Sequence, residues 1–119
     1  ITYEKSNEYL KIPNSIPNEK YSQWMMHSFE TTVKRDLFTA GVHAQDQTAR
    51  AQIVNKKTNP QFHKLIKTFG ELTGKEVILN TSFNIHGEPI VATPTDAIDT
   101  LKRCGLHHLL IGNILISKP

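Results

Sequence analysis

The sequence predicts an α/β domain in which a mixed β-sheet is packed with two main helices. Three observations carry this: two segments with apolar residues at helical spacing and clear caps, short apolar runs bounded by turn residues, and their order. Along the 119 residues that order is strand, strand, helix, strand, helix, strand, strand.

The helices rest on local chemistry. Asn59 stands as N-cap with Pro60 at the first helical position, and Phe62, Leu65, Ile66, Phe69 and Leu72 recur at helical spacing until Gly74 closes the segment. His63, Lys64 and Lys67 fall on its other face, where solvated side chains are expected. Thr93 caps the second helix, Asp96 stands near its positive end, and Ile98, Leu101 and Cys104 form its expected buried stripe. Lys102 and Arg103 occupy its last turn, with Gly105 as the C-cap. A further short helix is expected over residues 3–12, followed by a loop over 13–20 that Pro13 and Pro17 impose.

Strands are read at 23–32, where neither face is clearly polar; at 48–52, where Thr48, Arg50 and Gln52 alternate with Ala49 and Ala51; and at 77–79 as a buried apolar run. His27 reads as a core or interface residue. Leu109, Leu110 and Ile111, then Gly112-Asn113, then Ile114, Leu115 and Ile116 read as a hairpin whose first strand is buried.

Composition limits the function classes. With 38% apolar and 21% charged residues this is an ordinary globular composition, long enough for a real core. One cysteine, Cys104, excludes an intramolecular disulfide and a multi-cysteine zinc site. Adjacent histidines in a strand point to opposite faces, so His107 and His108 do not chelate a metal unaided, and no metal ligand is assigned. No apolar run approaches the roughly 20 residues of a membrane span and no signal pattern opens the chain, so a cytoplasmic home is expected. The net charge of +3 is scattered rather than clustered, which disfavours a nucleic-acid partner. The chain starts at Ile1 rather than Met, so a piece of a longer polypeptide is expected.

Two stretches carry the candidate chemistry. Where residues 77–79 end, the chain switches to Asn80, Thr81, Ser82 and Asn84, with Gly87 and Pro89 as turn residues beyond. Hydroxyls and amides at the end of a strand stand where ligands of open α/β sheets bind. In the second stretch Thr48, Arg50 and Gln52 share one strand face behind Asp46, and an arginine fork flanked by a hydroxyl and an amide suits a phosphate or carboxylate. Each has a plainer explanation: Asn and Ser side chains capping backbone groups in the first, a solvated face with Asp46 paired to Arg50 in the second.

Taken together, the blocks at 46–52 (Asp-Gln-Thr-Ala-Arg-Ala-Gln), Asn59-Pro60, 79–84 (Leu-Asn-Thr-Ser-Phe-Asn), 87–91, 93–97 and 110–116 resemble the C-terminal, YrdC-like region of NodU/CmcH-type carbamoyltransferases. The resemblance runs from about His43 to the end, with residues 1–42 as a variable lead-in. It implies a partial YrdC-like α/β sandwich that helps to activate carbamoyl phosphate with ATP and Mg²⁺ as carbamoyl-adenylate. An N-terminal Kae1-like domain of the same polypeptide, with its own metal, would then pass the carbamoyl group to a hydroxyl acceptor. The family's histidine-containing metal motif and its Phe-Gly-Pro-Arg-type segment are absent here, and glycine often stands where this chain has Gln47.

Adenylate formation displaces pyrophosphate from ATP at the α-phosphate, so catalysis is chiefly positioning and electrostatic stabilisation. The resemblance implies Arg50, Asn80 and Ser82 as catalytic residues, Arg50 neutralising phosphate or carbamate oxygens and the other two bonding the carbamoyl group or phosphate. It implies Asp46, Thr48, Thr81, Asn84 and Gly87 as substrate- or nucleotide-binding, and leaves open whether Glu88 orients Arg50 or lies in solvent. Two other readings stay open, a non-catalytic module packing on the transfer domain and a nucleic-acid binder; as a fragment, the chain is expected to be inactive alone or to self-associate through an exposed seam.

Overall fold

A computed structural model describes residues 1–14 and 22–119. Residues 15–20 of the expected loop lie outside these. The architecture is mixed α/β, as the element order predicts. Its described residues divide into two compact units, Ile1–Leu79 and Asn80–Pro119.

In the first unit a 3₁₀ turn, Tyr3–Lys5, leads into the short helix α1, Ser6–Tyr9. The helix expected over 3–12 stops there because Leu10 and Lys11 turn extended as β1 (Leu10–Lys11). β1, β2 (Phe29–Thr31) and β3 (Thr48–Ala49) form an antiparallel sheet in that order, with Leu10 opposite Thr31 and Phe29 opposite Ala49. A parallel bridge joins Thr2 to Val54; the Val54 amide donates to the Ile1 carbonyl at 2.8 Å and the Tyr3 amide to that of Val54 at 2.9 Å.

These pairings bury Ile1, Tyr9, Leu10, Phe29, Ala49, Ala51, Ile53 and Val77 in one cluster. Ala49, Ala51 and Ile53 are buried at alternate positions, so the period-2 pattern read over 48–52 is present although ladder pairing ends at Ala49. The strand expected over 23–32 is shorter. Ser22–Trp24 form a 3₁₀ turn and Met25 takes φ +56°, a left-handed value that an extended strand does not tolerate, so pairing begins only at Phe29. His27 is half-buried with its ring 6.3 Å from that of Phe29.

Helix α2 (Pro60–Thr73) starts and ends as predicted: the Asn59 side chain accepts from the Phe62 amide, and Gly74 closes it at φ +74°. Its buried face differs. Ile66 is fully buried, whereas Leu65, Phe69 and Leu72 are exposed, and His63, expected in solvent, is buried with its Nε2 2.8 Å from a Glu4 carboxylate oxygen. The helix is rotated so that His63, Ile66 and Gly70 face inward, and Gly70 lets Glu76 come close: a Cβ there would lie 2.9 Å from the Glu76 Cβ. Residues 77–79 join no ladder among the described residues; Val77 is buried but Leu79 is exposed, so a buried strand is not formed.

The second unit holds α3 (Pro94–Arg103) and a hairpin of β4 (His108–Ile111) and β5 (Ile114–Ser117). Thr93 and Asp96 form a reciprocal capping box, in which Thr93 Oγ1 accepts from the Asp96 amide while an Asp96 carboxylate oxygen accepts from the Thr93 amide. The buried residues of α3 are Ala97, Thr100 and Leu101; Ile98 and Cys104 are half-buried, and the helix ends at Cys104 rather than Gly105. Cys104 packs as expected of a core thiol, its Sγ against the Leu101 carbonyl at 3.6 Å. Gly112 turns the hairpin at φ +57°. Contrary to the expected buried strand, Leu110 is exposed, as are Ile114 and Leu115. Lys118 Nζ donates to the Cys104 carbonyl at 2.6 Å, tying the end of the hairpin to the end of α3. Among the described residues no helix is long and apolar enough to cross a membrane.

Candidate functional site

The candidate residues fall into two groups, one in each unit. In the first, the chain reverses between His43 and Thr48: the His43 amide donates to the Thr48 carbonyl at 2.8 Å and the Gln47 amide to the His43 carbonyl at 2.9 Å. Asp46 Oδ1 accepts from the Thr48 amide at 3.0 Å and from the Thr48 hydroxyl at 2.8 Å, an Asx-type turn. His43 Nδ1 lies 3.1 Å from the same hydroxyl. Hydrogen bonds from Thr48 hold the Asp46 carboxyl below its usual range, so it stays charged as the brace of this turn. Gln47 takes φ +57°, which accounts for a position where glycine would be unstrained.

Arg50 follows on the outward side, flanked by buried Ala49 and Ala51. With Asp46 committed to Thr48, the plain Asp46–Arg50 pairing is not formed. Among the described residues Arg50 makes no hydrogen bond or ion pair, so its guanidinium is available to an anion.

The second group is a polar loop. Asn80, Thr81 and Ser82 are exposed; Thr81 Oγ1 is 3.4 Å from the Ser82 carbonyl, and Ser82 Oγ is 2.6 Å from Asn84 Oδ1. Asn84 Nδ2 donates to the carbonyls of Ile85 at 3.2 Å and Glu88 at 2.9 Å. The Glu88 amide closes a turn onto the Ile85 carbonyl at 2.9 Å with Gly87 at φ +84°, the geometry of a type II turn. Space beside Gly87 is open, so the turn alone accounts for glycine there. The Val91 amide, 3.1 Å from the Phe83 carbonyl, ties the two ends of the loop.

Sequence reasoning left Glu88 open and read Arg103 only as a helix-end charge. The two form a bidentate pair, with Arg103 Nη1 and Nη2 donating to the two Glu88 carboxylate oxygens at 2.7 and 2.6 Å. The Arg103 hydrogen bonds hold the Glu88 carboxyl below its usual range. A helix rule reaches only three or four residues, so no local signal announces a partner 15 positions away. The loop is thus hooked to α3 by the same residue whose carbonyl holds Asn84.

Among the described residues no group of three or more His, Cys, Asp or Glu side chains is arranged to hold a metal ion. An ATP-borne Mg²⁺ is bound largely by phosphate oxygens and water, with one or two protein carboxylates, and needs no such cage. A separate cleft of about 450 Å³ in the first unit, lined by Leu37, Phe38, Phe69, Lys75, Val77 and Leu79 among others, contains none of the candidate residues.

Residues 1–118 match the family described as Carbamoyltransferase C-terminus. The chain belongs to that family. It is 36% identical over 118 residues to nodulation protein NolNO of Sinorhizobium fredii, covering 99% of this chain and 17% of that protein. It is 38% identical over 107 residues to an uncharacterized protein of Methanocaldococcus jannaschii, covering 90% of this chain and 21% of the relative. It is 32% identical over 68 residues to a 3'-hydroxymethylcephem-O-carbamoyltransferase of Amycolatopsis lactamdurans, covering 57% of this chain and 13% of that enzyme. The chain therefore spans about a fifth or less of the curated relatives it matches. The family match also takes in the lead-in before His43, whose residues Ile1 and Tyr3 hydrogen-bond Val54 on either side of the Thr2–Val54 bridge.

Proposed function

We propose that this carbamoyltransferase C-terminal domain helps to activate carbamoyl phosphate with ATP as carbamoyl-adenylate, for transfer to a hydroxyl by an N-terminal domain of the same polypeptide. The observation that carries the reading is Arg50, an outward arginine with no partner among the described residues, held two positions beyond a turn braced by Asp46 and Thr48. Water must first cleave carbamoyl phosphate to carbamate and inorganic phosphate; a carbamate oxygen then attacks the α-phosphorus as the bond to pyrophosphate breaks, and the role of Arg50 is to offset the negative charge that builds there. Asp46 and Thr48 brace the turn that leads through β3 to Arg50. In the other unit Asn80, Thr81 and Ser82 present small polar groups, while Asn84 and Gly87 hold the shape of that loop.

The test is Arg50→Ala in the full-length polypeptide. Carbamoyl-phosphate-dependent turnover falls by roughly 10²–10³, the scale for removing a charge-stabilising donor, and circular dichroism and the melting temperature stay near those of the parent. Unchanged turnover removes Arg50 from the mechanism. A second reading, that the domain packs on the transfer domain or on another copy of itself, draws on exposed Leu110, Ile114 and Leu115 of the hairpin. Replacing those three by polar residues would, on that reading, free the domain without touching its ligand affinity.

A further inference from the structure

We infer that residues 77–79 form an open strand edge onto which an apolar β-strand of the same polypeptide, from outside residues 1–119, docks. The inference goes beyond the activation reading and shares with it only that the polypeptide extends past these residues. The backbone hydrogen bonds point to it. Val77 is buried and Ile78 half-buried, yet among the described residues no backbone amide or carbonyl of Val77, Ile78 or Leu79 makes a hydrogen bond. The chain just before them is satisfied: the Gly74 amide donates to the Gly70 carbonyl at 2.8 Å, and the Glu76 amide to the Tyr9 hydroxyl at 3.1 Å. Buried backbone polar groups are nearly always paired, so three consecutive residues without a bond mark the place of a further strand.

The side chains agree with the backbone. The same three residues wall the cleft of about 450 Å³, together with Leu37, Phe38 and Phe69, and Leu79 is exposed. Strand addition needs these two parts: an edge that supplies main-chain hydrogen bonds, and a depression that takes alternate side chains of the added strand. Among the described residues that line the cleft only Lys75 is charged, so the side chains that fill it are apolar. The source follows from length and symmetry. This chain covers 21% of the Methanocaldococcus jannaschii relative and 17% of NolNO, so most of each polypeptide lies outside the matched region and can supply a strand. A second copy serves poorly, because an isologous contact brings one patch against itself, and residues that wall a cleft do not also fill the facing one.

The experiment is photo-crosslinking of the purified full-length polypeptide carrying a diazirine analogue of leucine at Leu79, read by peptide mapping, with deuterium exchange of the parent alongside. The label is leucine-sized and the position exposed, so the fold is kept. One crosslinked product is expected, to an apolar segment of the same polypeptide outside residues 1–119. The amides of 77–79 should exchange about a hundredfold or more slowly than in an unstructured peptide, as in a stably paired strand. The same label at Leu72, exposed on α2 and not among the residues lining the cleft, should not give that product. A product within residues 1–119, a product joining two copies, equal yield from the two positions, no product at all, or freely exchanging 77–79 amides would each overturn the inference. None of these outcomes touches the activation reading, which stands or falls on Arg50.

Discussion

The two units hold their shape by different means. Ile1–Leu79 has a hydrophobic cluster in which Leu10 is 1% and Phe29 2% exposed, and its candidate arginine directly follows β3, between Ala49 and Ala51 of that cluster. Asn80–Pro119 buries Ala97, Thr100 and Leu101 but leaves Leu110, Ile114 and Leu115 of its hairpin exposed. Its loop is shaped by directed polar contacts: the capping box, the Asn84 bonds and the Glu88–Arg103 clamp. The difference teaches that substitutions in the core of the first unit act through packing, whereas those in the loop of the second act through hydrogen bonds and charge.

The largest expected structural effect is in the first unit. Leu10→Ala leaves a hole beside Tyr9 and Phe29 and should cost about 2–5 kcal/mol, read by chemical denaturation; a loss under 1 kcal/mol would mean that the cluster is not the unit's main support.

Gly70→Ala sharpens the same point. In an exposed helix it would gain about 1 kcal/mol, but the new methyl meets Glu76, including its Cα at 3.0 Å, and overpacking costs about 1–3 kcal/mol. Net destabilisation is expected, and a rise in melting temperature would break the account of α2 packing.

In the second unit Thr93→Ala removes half of the capping box and should cost about 1 kcal/mol, read as faster amide exchange in the first turn of α3. The pH response follows from Glu88. Its carboxyl is held below the ordinary 4.5 by Arg103, so the clamp's contribution is present above that value and is lost as pH falls through the lower, folded value. Amide shifts of Asn84 and Glu88 should titrate together below pH 4.5 and stop doing so in Arg103→Ala. Titration at or above 4.5 would contradict the clamp.

Parts of this were legible in the sequence because their causes are local. Asn59-Pro60, Gly74, Thr93 with Asp96, and Gly112 each set a backbone feature within a few residues, and each stands where it was read. The alternation from Thr48 to Ile53 is equally local. What was not legible depends on distant partners. His63 looks like a surface residue until Glu4, 59 positions away, comes beside it. The apolar run at 77–79 has the composition of a buried strand, but a strand also needs a neighbour to bond, and sequence does not name one. At the candidate site the residue types were legible and their commitments were not: Asp46 serves Thr48, Asn84 serves its own loop, and Glu88 takes Arg103.

The central claim is that this domain contributes the charge that supports carbamoyl activation, and the activation half-reaction isolates it. The direct measurement is carbamoyl-phosphate-dependent exchange of labelled pyrophosphate into ATP by the full-length polypeptide, without acceptor, comparing the parent with Arg50→Ala. The account predicts exchange in the parent and a fall of roughly 10²–10³ in a variant that remains folded. Exchange at the parental rate in Arg50→Ala would contradict it.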